Sequence, residues 1–403
     1  MPRFEPFAGV RYDLDRVDLD DVVAPPYDVI GPDDQAALEA RSPYNVVRID
    51  LAREENGVDR YTSAGCRFDE WLAQGVLRTD PEPGFYAYRM GYHDPDGNSR
   101  QIVGVLGALE VSAPGDGEVL PHEETQHKVR DDRLRLLRAC RADLSPVWGL
   151  SMAEGLTELA TGAAGAPVAR CTDEEGVHHR LWQLTQPGVV EAVAETVASA
   201  PVVIADGHHR YATALAHRDE IRAARGGDGG DEELLLALVC ELTDGQASVR
   251  PIHRVVAGLT ADFDLVAALE PFFDPVATDL RATDLPGLMD EAGGLGLVLG
   301  PDRVWLLVPR AGADESGGDP PPDAVLLDQA LTGLPAHSLT FDHSLDSVCA
   351  TVTSGHASAG VLLRPVDVRQ IADTARAGRR MPTKTTFFHP KPRTGMVFRR
   401  LSV

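Results

Sequence analysis

The stretch PVVIADGHHRYATALAHR, Pro201 to Arg218, decides how the chain is read. Val202-Val203-Ile204 has the β-branched character of a buried strand, and the Ala-rich segment from Tyr211 onward is predicted as a helix. Between them lie Asp206, Gly207, His208, His209 and Arg210. Gly207 falls at the seam, where a positive φ or a close backbone approach calls for a residue without a Cβ. The first N–H groups of a helix have no partner within it and carry partial positive charge. His208, His209 and Arg210 add side-chain donors in the same turn. The seam therefore suits an anion, above all a phosphate chain gripped by Arg210.

Two other readings of the seam stay open. Asp206 can serve as a helix N-cap and nothing more. The paired histidines can be half of a metal site, although ligands on one helix are usually four residues apart and adjacent histidines point away from each other. A second copy of the tripeptide, His178-His179-Arg180, provides an internal comparison. Strand-like residues follow it rather than a helix, so it reads as strand surface.

Composition narrows the class. A chain of 403 residues exceeds the usual single core, so two or three lobes are expected. No apolar run approaches the roughly 18–20 residues that span a bilayer. The start, MPRFEPFAGVRYD, lacks a charged-then-apolar signal pattern, so a cytoplasmic chain without a membrane partner is expected. Cys66, Cys140, Cys171, Cys240 and Cys349 are scattered with no CxxC spacing. They read as buried small apolar residues rather than a disulfide framework or a zinc site. The net charge of −24 repels nucleic acid phosphates and argues against a nucleic acid partner. Of 38 basic residues only Lys128, Lys384 and Lys391 are lysines. Where arginine has replaced lysine almost everywhere, a retained lysine marks a place where a compact ammonium works and a planar fork does not.

The pattern along the chain is a composite α+β fold rather than a uniform doubly wound parallel sheet. Regions 1–155, 156–310 and 311–403 are expected to pack into one composite site. A turn is predicted at Asp21–Ile30 (DVVAPPYDVI), a strand at Tyr44–Leu51 (YNVVRIDL) and a helix at Asp59–Gln74. A hairpin follows at Gly84–Tyr92 and Ser99–Leu109, then an Arg-rich helix ending near Arg141. A second hairpin is predicted at Val168–Leu184, a helix at Val189–Ala198 and a strand at Glu233–Leu242. Ala311–Pro322, small, acidic and Pro-rich, reads as a linker.

IADGHHRYATA resembles the phosphate-binding motif of the ParB/sulfiredoxin superfamily, and its Asp-Gly-His-His-Arg is similar to that of the archaeal free-serine kinases within it. Nearly the whole chain resembles the domain-of-unknown-function family numbered 1015. APPYDVI, HEETQHKVRDDRLRLLRA, LSPVWGL, IADGHHRYATA, PIHRVV and MPTKTTFFHPKPRTGMVF carry that resemblance, in this order. It implies a nucleotide-binding core that takes ATP or ADP with Mg²⁺ and phosphorylates a small hydroxyl-bearing metabolite, such as serine. Two departures limit what carries over. His208 stands where sulfiredoxins have a catalytic Cys, and nothing resembles the basic DNA-binding module of ParB.

On that basis Gly207, His208, His209 and Arg210 are expected to hold the phosphates, with Lys128, Arg133, Lys384 and Lys391 as a cationic rim. Asp206 is expected to hold Mg²⁺ or to orient the acceptor. Glu123, in His122-Glu123-Glu124-Thr125, is the preferred base for the acceptor hydroxyl, and Asp28 competes with it. Arg254 and the Phe387-Phe388 pair read as structural. A nucleotide-binding regulatory switch is the main alternative. A metal-dependent hydrolase built on His208, His209, His122 and Glu123 is a weaker one. Homo-oligomerisation is left open.

Overall fold

The structure is a computed structural model that describes residues 1–402 apart from 95–96, 114, 122, 124, 126, 164, 228, 244–245, 247, 311–321, 378–380 and 383. The chain folds as two compact units, Met1–Ser248 with Pro390–Val403, and Val249–His389. The sequence reading set boundaries after 155 and 310 instead. It missed that the tail rejoins the first unit, because composition does not reveal strand partners: Arg399–Arg400 pairs antiparallel with Ala142–Asp143, and Thr394 bridges Ala24. The expected linker lies outside the described residues except for Pro322.

The first unit is built on a nine-stranded mixed sheet. Its strands are Phe4–Glu5 (β1), Phe85–His93 (β2), Ser99–Glu110 (β3), Val119–Pro121 (β4), Val147–Ser151 (β5), Ala169–Thr172 (β6), His178–Leu184 (β7), Val202–Asp206 (β8) and Leu234–Glu241 (β9). The order is β4-β8-β5-β9-β3-β2-β7-β6, with β1 also on β3. Both predicted hairpins form, as β2–β3 and β6–β7. Strand β3 is buried on both faces over eight residues, and Gly107 within it leaves room for the Phe4 ring, which a Cβ there would meet at 2.5 Å. Phe4, Phe85, Val105, Val202, Ile204 and Val239 share one apolar core.

Four helices of this unit position the site: Val47–Asp50 (α1), Arg60–Ala73 (α2), His127–Cys140 (α3) and His208–Arg225 (α4). The strand expected at Tyr44–Leu51 is instead the single turn α1. The apolar, β-branched run suggested a strand, but Asn45 fixes a turn: its Oδ1 accepts from the Val47 N–H at 3.0 Å, and its Nδ2 donates to the Asp21 and Val23 carbonyls. This matters for the site, because the turn carries Asp50 into the interior. Tyr211 of α4 docks the helix against the core, its hydroxyl accepting from the Ser112 N–H and donating to the Ser112 carbonyl, both at 2.9 Å.

The second unit is a six-stranded antiparallel sheet of His253–Ala257 (β10), Phe273–Thr278 (β11), Leu295–Gly300 (β12), Arg303–Pro309 (β13), Ser338–Asp342 (β14) and Ala359–Leu362 (β15). The order is β11-β13-β12-β15-β10-β14. Arg254 is fully buried, with its guanidinium 4.7 Å from the Phe341 ring centroid and donating to the Ile252 and Lys384 carbonyls. That is the structural role the sequence suggested. Phe388 is buried as well, and Phe387 stacks on His343 at 4.6 Å between centroids.

His253 gives this unit a pH dependence. It is buried, and its Nδ1 accepts from the Leu363 N–H at 3.2 Å, which requires that nitrogen to be unprotonated. Burial, against the pull of Asp342, pushes its pKa down to about 4. A base with a depressed folded-state pKa contributes stability that is complete above the unfolded value near 6.5 and is lost as the pH falls toward 4. Acidification across that window should cost this unit about 3 kcal/mol. In His253→Asn, whose amide oxygen can also accept from Leu363, the melting temperature should vary much less between pH 6.5 and 4. An unchanged slope would exclude His253 as its source.

Among the described residues, no helix is long and apolar enough to cross a membrane. The cysteines are unbridged. Cys140, Cys171 and Cys240 are buried as expected, whereas Cys66 is exposed on α2.

Candidate phosphate site on the first unit

The seam folds as its sequence suggests, with the helix starting three residues early. Strand β8 ends at Asp206, Gly207 adopts φ 91°, and α4 starts at His208. A side chain at 207 would be strained by that φ and would crowd the Arg210 guanidinium, 3.0 Å from a built Cβ. Arg210 lies in the first turn of α4 and folds back over the seam. Its Nη2 donates to Asp206 Oδ2 at 2.7 Å, and its Nη1 reaches Ser145 Oγ at 3.2 Å and the Pro146 carbonyl. Ser145-Pro146, in the LSPVWGL segment, was not singled out as part of the site. It lies at the same sheet end because β5 runs antiparallel to β8 with Trp148 opposite Asp206.

Lys391 completes the arrangement. It comes from the returning tail, is almost buried, and places Nζ on Asp206 Oδ1 and 3.3 Å from Asp28 Oδ2. Asp206 thus carries a cation on each oxygen. Burial alone would raise its pKa, but Lys391 and then Arg210 outweigh burial and hold it at about 2. Burial likewise opposes the Lys391 charge, and Asp206 and Asp28 overcome it, so the pKa lies above the ordinary lysine value. The Lys391 ammonium thus lies between two carboxylates.

The two parallel strands bring Glu123 to the same place. β4 pairs with β8 in the register Val202↔Val119, Val203↔Leu120, Ile204↔Pro121. Glu123 lies two residues past Pro121 and Asp206 two past Ile204, so the two strands carry them toward one end of the sheet. Glu123 is half-buried, while His122 and Glu124 lie outside the described residues.

The other expected site residues divide. Asp28 sits in the turn Tyr27–Val29, exposed and against Lys391. His208 is buried and His209 half-buried in the first turn of α4. Arg133 is buried on α3, its guanidinium 4.3 Å from the Tyr27 ring centroid, and is spent on Asp50 and Asp132. Lys128 is exposed on the first turn of α3. Lys384 belongs to the second unit, at φ 58° with Nζ 5.6 Å from the Phe341 ring centroid.

The upstream His-His-Arg is not all surface. His178 and Arg180 are exposed on β7, but alternation turns His179 fully inward. Its Nε2 donates to Asp173 Oδ2 at 3.0 Å, and its Nδ1 accepts from the Tyr88 hydroxyl at 2.8 Å. The acceptor-only carboxylate fixes that tautomer. Arg393, two residues past Lys391, closes the ring. Its guanidinium lies 2.7 Å from Asp173 Oδ2, and its backbone N–H donates to the Tyr88 hydroxyl at 3.2 Å. Sequence reasoning missed this network, because nothing local links residues 88, 173, 179 and 393.

The arrangement can hold and balance anionic groups at a helix start. Each Asp206 oxygen already meets a cation, so a metal ion bound there would lie close to the charges of Lys391 and Arg210. Among the described residues, no three His, Cys, Asp or Glu side chains come together to hold a metal ion.

Comparison with solved structures finds distant likenesses. A conserved hypothetical protein from Pyrococcus furiosus is 11% identical over 67% of this chain and 87% of its own, with a TM-score of 0.36. A free serine kinase in complex with AMP is 11% identical over 67% of this chain and 83% of its own, at 0.38. SbnI with a C-terminal truncation, from Staphylococcus aureus, is 12% identical over 72% and 85%, at 0.39. Among curated proteins nothing matches. The family described as protein of unknown function DUF1015 matches residues 4–330, most of the length that holds the seam, the sheet and the Asp28 turn, and the chain belongs to that family.

Proposed function

We propose that this protein binds ATP or ADP by its phosphates at the Gly207–Arg210 turn and transfers a phosphoryl group to a small hydroxyl-bearing metabolite, with an amino acid such as serine as the first candidate. The observation that carries the reading is the meeting of Lys391 and Arg210, both almost buried, on Asp206, next to a left-handed glycine that opens an 18-residue helix. Phosphoryl transfer asks mainly for positioning and charge neutralisation, and these groups supply both. Lys391 and Arg210 neutralise phosphate oxygens, and the first N–H groups of α4 point the same way. Glu123, at the same sheet end, takes the proton of the acceptor hydroxyl as its oxygen attacks phosphorus, and the nucleotide leaves with the electron pair of the broken P–O bond. Asp28 holds Lys391 in place. Magnesium, when present, arrives on the nucleotide phosphates and neutralises their charge.

Two measurements test this. Arg210→Ala should weaken nucleotide binding in calorimetry by about 10- to 150-fold, the equivalent of roughly 1.5–3 kcal/mol for a charge-assisted phosphate contact. Arg180→Ala, on the upstream tripeptide, should leave it within about twofold. Equal losses would remove the turn as the phosphate site. With labelled ATP or ADP and a panel of hydroxyl metabolites, label should appear on an acceptor. Hydrolysis that no acceptor accelerates would favour a regulatory switch.

A further inference from the structure

Beside the phosphate turn, within the first unit, lies a cavity of about 60 Å³. Tyr27, Asp50, Arg133, Ser145 and Arg210 form its polar wall, and Leu137, Val147, Ala214 and Leu235 line the apolar side. Asp50 ends the α1 turn and is 4% exposed. Its Oδ1 accepts from Arg133 Nη1 at 3.0 Å, whereas Oδ2 is buried and has no hydrogen-bond partner among the described residues. A buried carboxylate oxygen is costly to leave without a donor.

The charge balance says what kind of donor fits. Among the described residues the guanidinium hydrogen-bonded to Asp50 is that of Arg133, and it is shared. Its Nη1 serves the Asp50 carboxylate and carbonyl, while Nε and Nη2 both donate to Asp132 Oδ2. Arg210, the other cation lining the cavity, is committed to Asp206, Ser145 and Pro146. Asp50 thus lines the cavity with one carboxylate oxygen that receives no hydrogen bond among the described residues. A cationic donor satisfies both its orphan oxygen and its charge, where a hydroxyl satisfies only the first.

We propose that this cavity binds the ammonium group of the phosphoryl acceptor, with Asp50 Oδ2 as its partner, so that the acceptor is a small amino alcohol or hydroxy amino acid. The proposal rests on the phosphotransferase reading and adds the acceptor's anchor to it. The cavity borders Arg210, so an acceptor held by its ammonium on Asp50 needs only a short arm to bring its hydroxyl toward phosphates on the Gly207–Arg210 turn. Asp50 is a binding residue in this scheme, and Glu123 remains the base. Burial raises the pKa of Asp50 against the pull of Arg133 and Arg210.

The test compares acceptors that differ at one group. L-Serine and glycerate differ by an ammonium against a hydroxyl at the same carbon, and ethanolamine and ethylene glycol form a second such pair. Wild-type protein, with labelled ATP or ADP, should use the ammonium member of each pair at least tenfold better in kcat/KM. Asp50→Asn should raise the KM for that member tenfold or more, shrink the preference within each pair, and leave nucleotide Kd within about threefold. Ala214→Val narrows the cavity from its apolar wall without touching a charge and should also raise acceptor KM, which keeps the test decisive if Asp50→Asn fails to fold. Equal use of both pair members, or wild-type acceptor KM in the folded variants, would overturn the ammonium site and leave the phosphotransferase reading standing. Nucleotide binding without transfer to any acceptor would instead overturn the phosphotransferase reading and the ammonium site with it.

Discussion

Arg393→Ala should destabilise the first unit by about 3–5 kcal/mol, the usual cost of removing one partner from a buried ion pair. Arg393 is 5% exposed and meets Asp173 and Glu174 while its backbone is held by Tyr88. Without it, Asp173 loses its buried cation and keeps the neutral donors His179 and the Glu175 and Val177 N–H groups. His179 cannot take over the charge, because burial, ahead of the attraction of Asp173, lowers its pKa. The melting temperature should fall by roughly 6–15 °C. Arg41→Ala removes the exposed partner of the same Glu174 and should cost well under 1 kcal/mol. If the two variants melted alike, the network would be no stronger than a surface pair. Burial opposes the ionisation of Asp173, but its hydrogen bond from His179 and the charge of Arg393 outweigh it and lower its pKa. The deficit of Arg393→Ala should therefore be full above the ordinary Asp value of about 3.9 and shrink as the pH falls below it.

The parts of this site that are local in sequence were legible, and the parts that are not were hidden. The strand, glycine and helix at 202–225 follow from an apolar triplet, a residue free to take φ 91° and an Ala-rich run. The hairpins at 85–110 and 169–184 follow from alternation and turn residues. Asp50 was hidden because YNVVRIDL has the β-branched content of a strand, and one asparagine side chain decides otherwise. The inward face of His179 was hidden because three adjacent polar residues on a strand still alternate sides, and which side is interior depends on β2 and β6. Lysine scarcity pointed to three positions, and the structure separates them. Lys391 sits in the first unit's carboxylate cluster, Lys128 is exposed and Lys384 belongs to the second unit. Rarity flagged residues worth inspecting, but only the fold of the tail tells which one reaches Asp206.

Lys391→Met should weaken nucleotide binding by about 100-fold, toward the upper end of a charge-assisted phosphate contact. The loss has two sources. One phosphate partner disappears, and Asp206 with Asp28 then faces the phosphates with Arg210 as the remaining cation among these four residues. Lys391→Met should also lower stability, since Asp206 loses its leading neutralising partner. Those two effects come apart in Lys391→Met combined with Asp206→Asn, which removes the ammonium and the carboxylate charge together. Stability should return toward wild type, because a buried pair deleted as a pair costs far less than one broken in half. Nucleotide affinity should stay low if Lys391 contacts phosphate. Recovery of affinity along with stability in the double variant would reduce Lys391 to a counter-ion for Asp206, and the phosphate site would then rest on Arg210 and the start of α4.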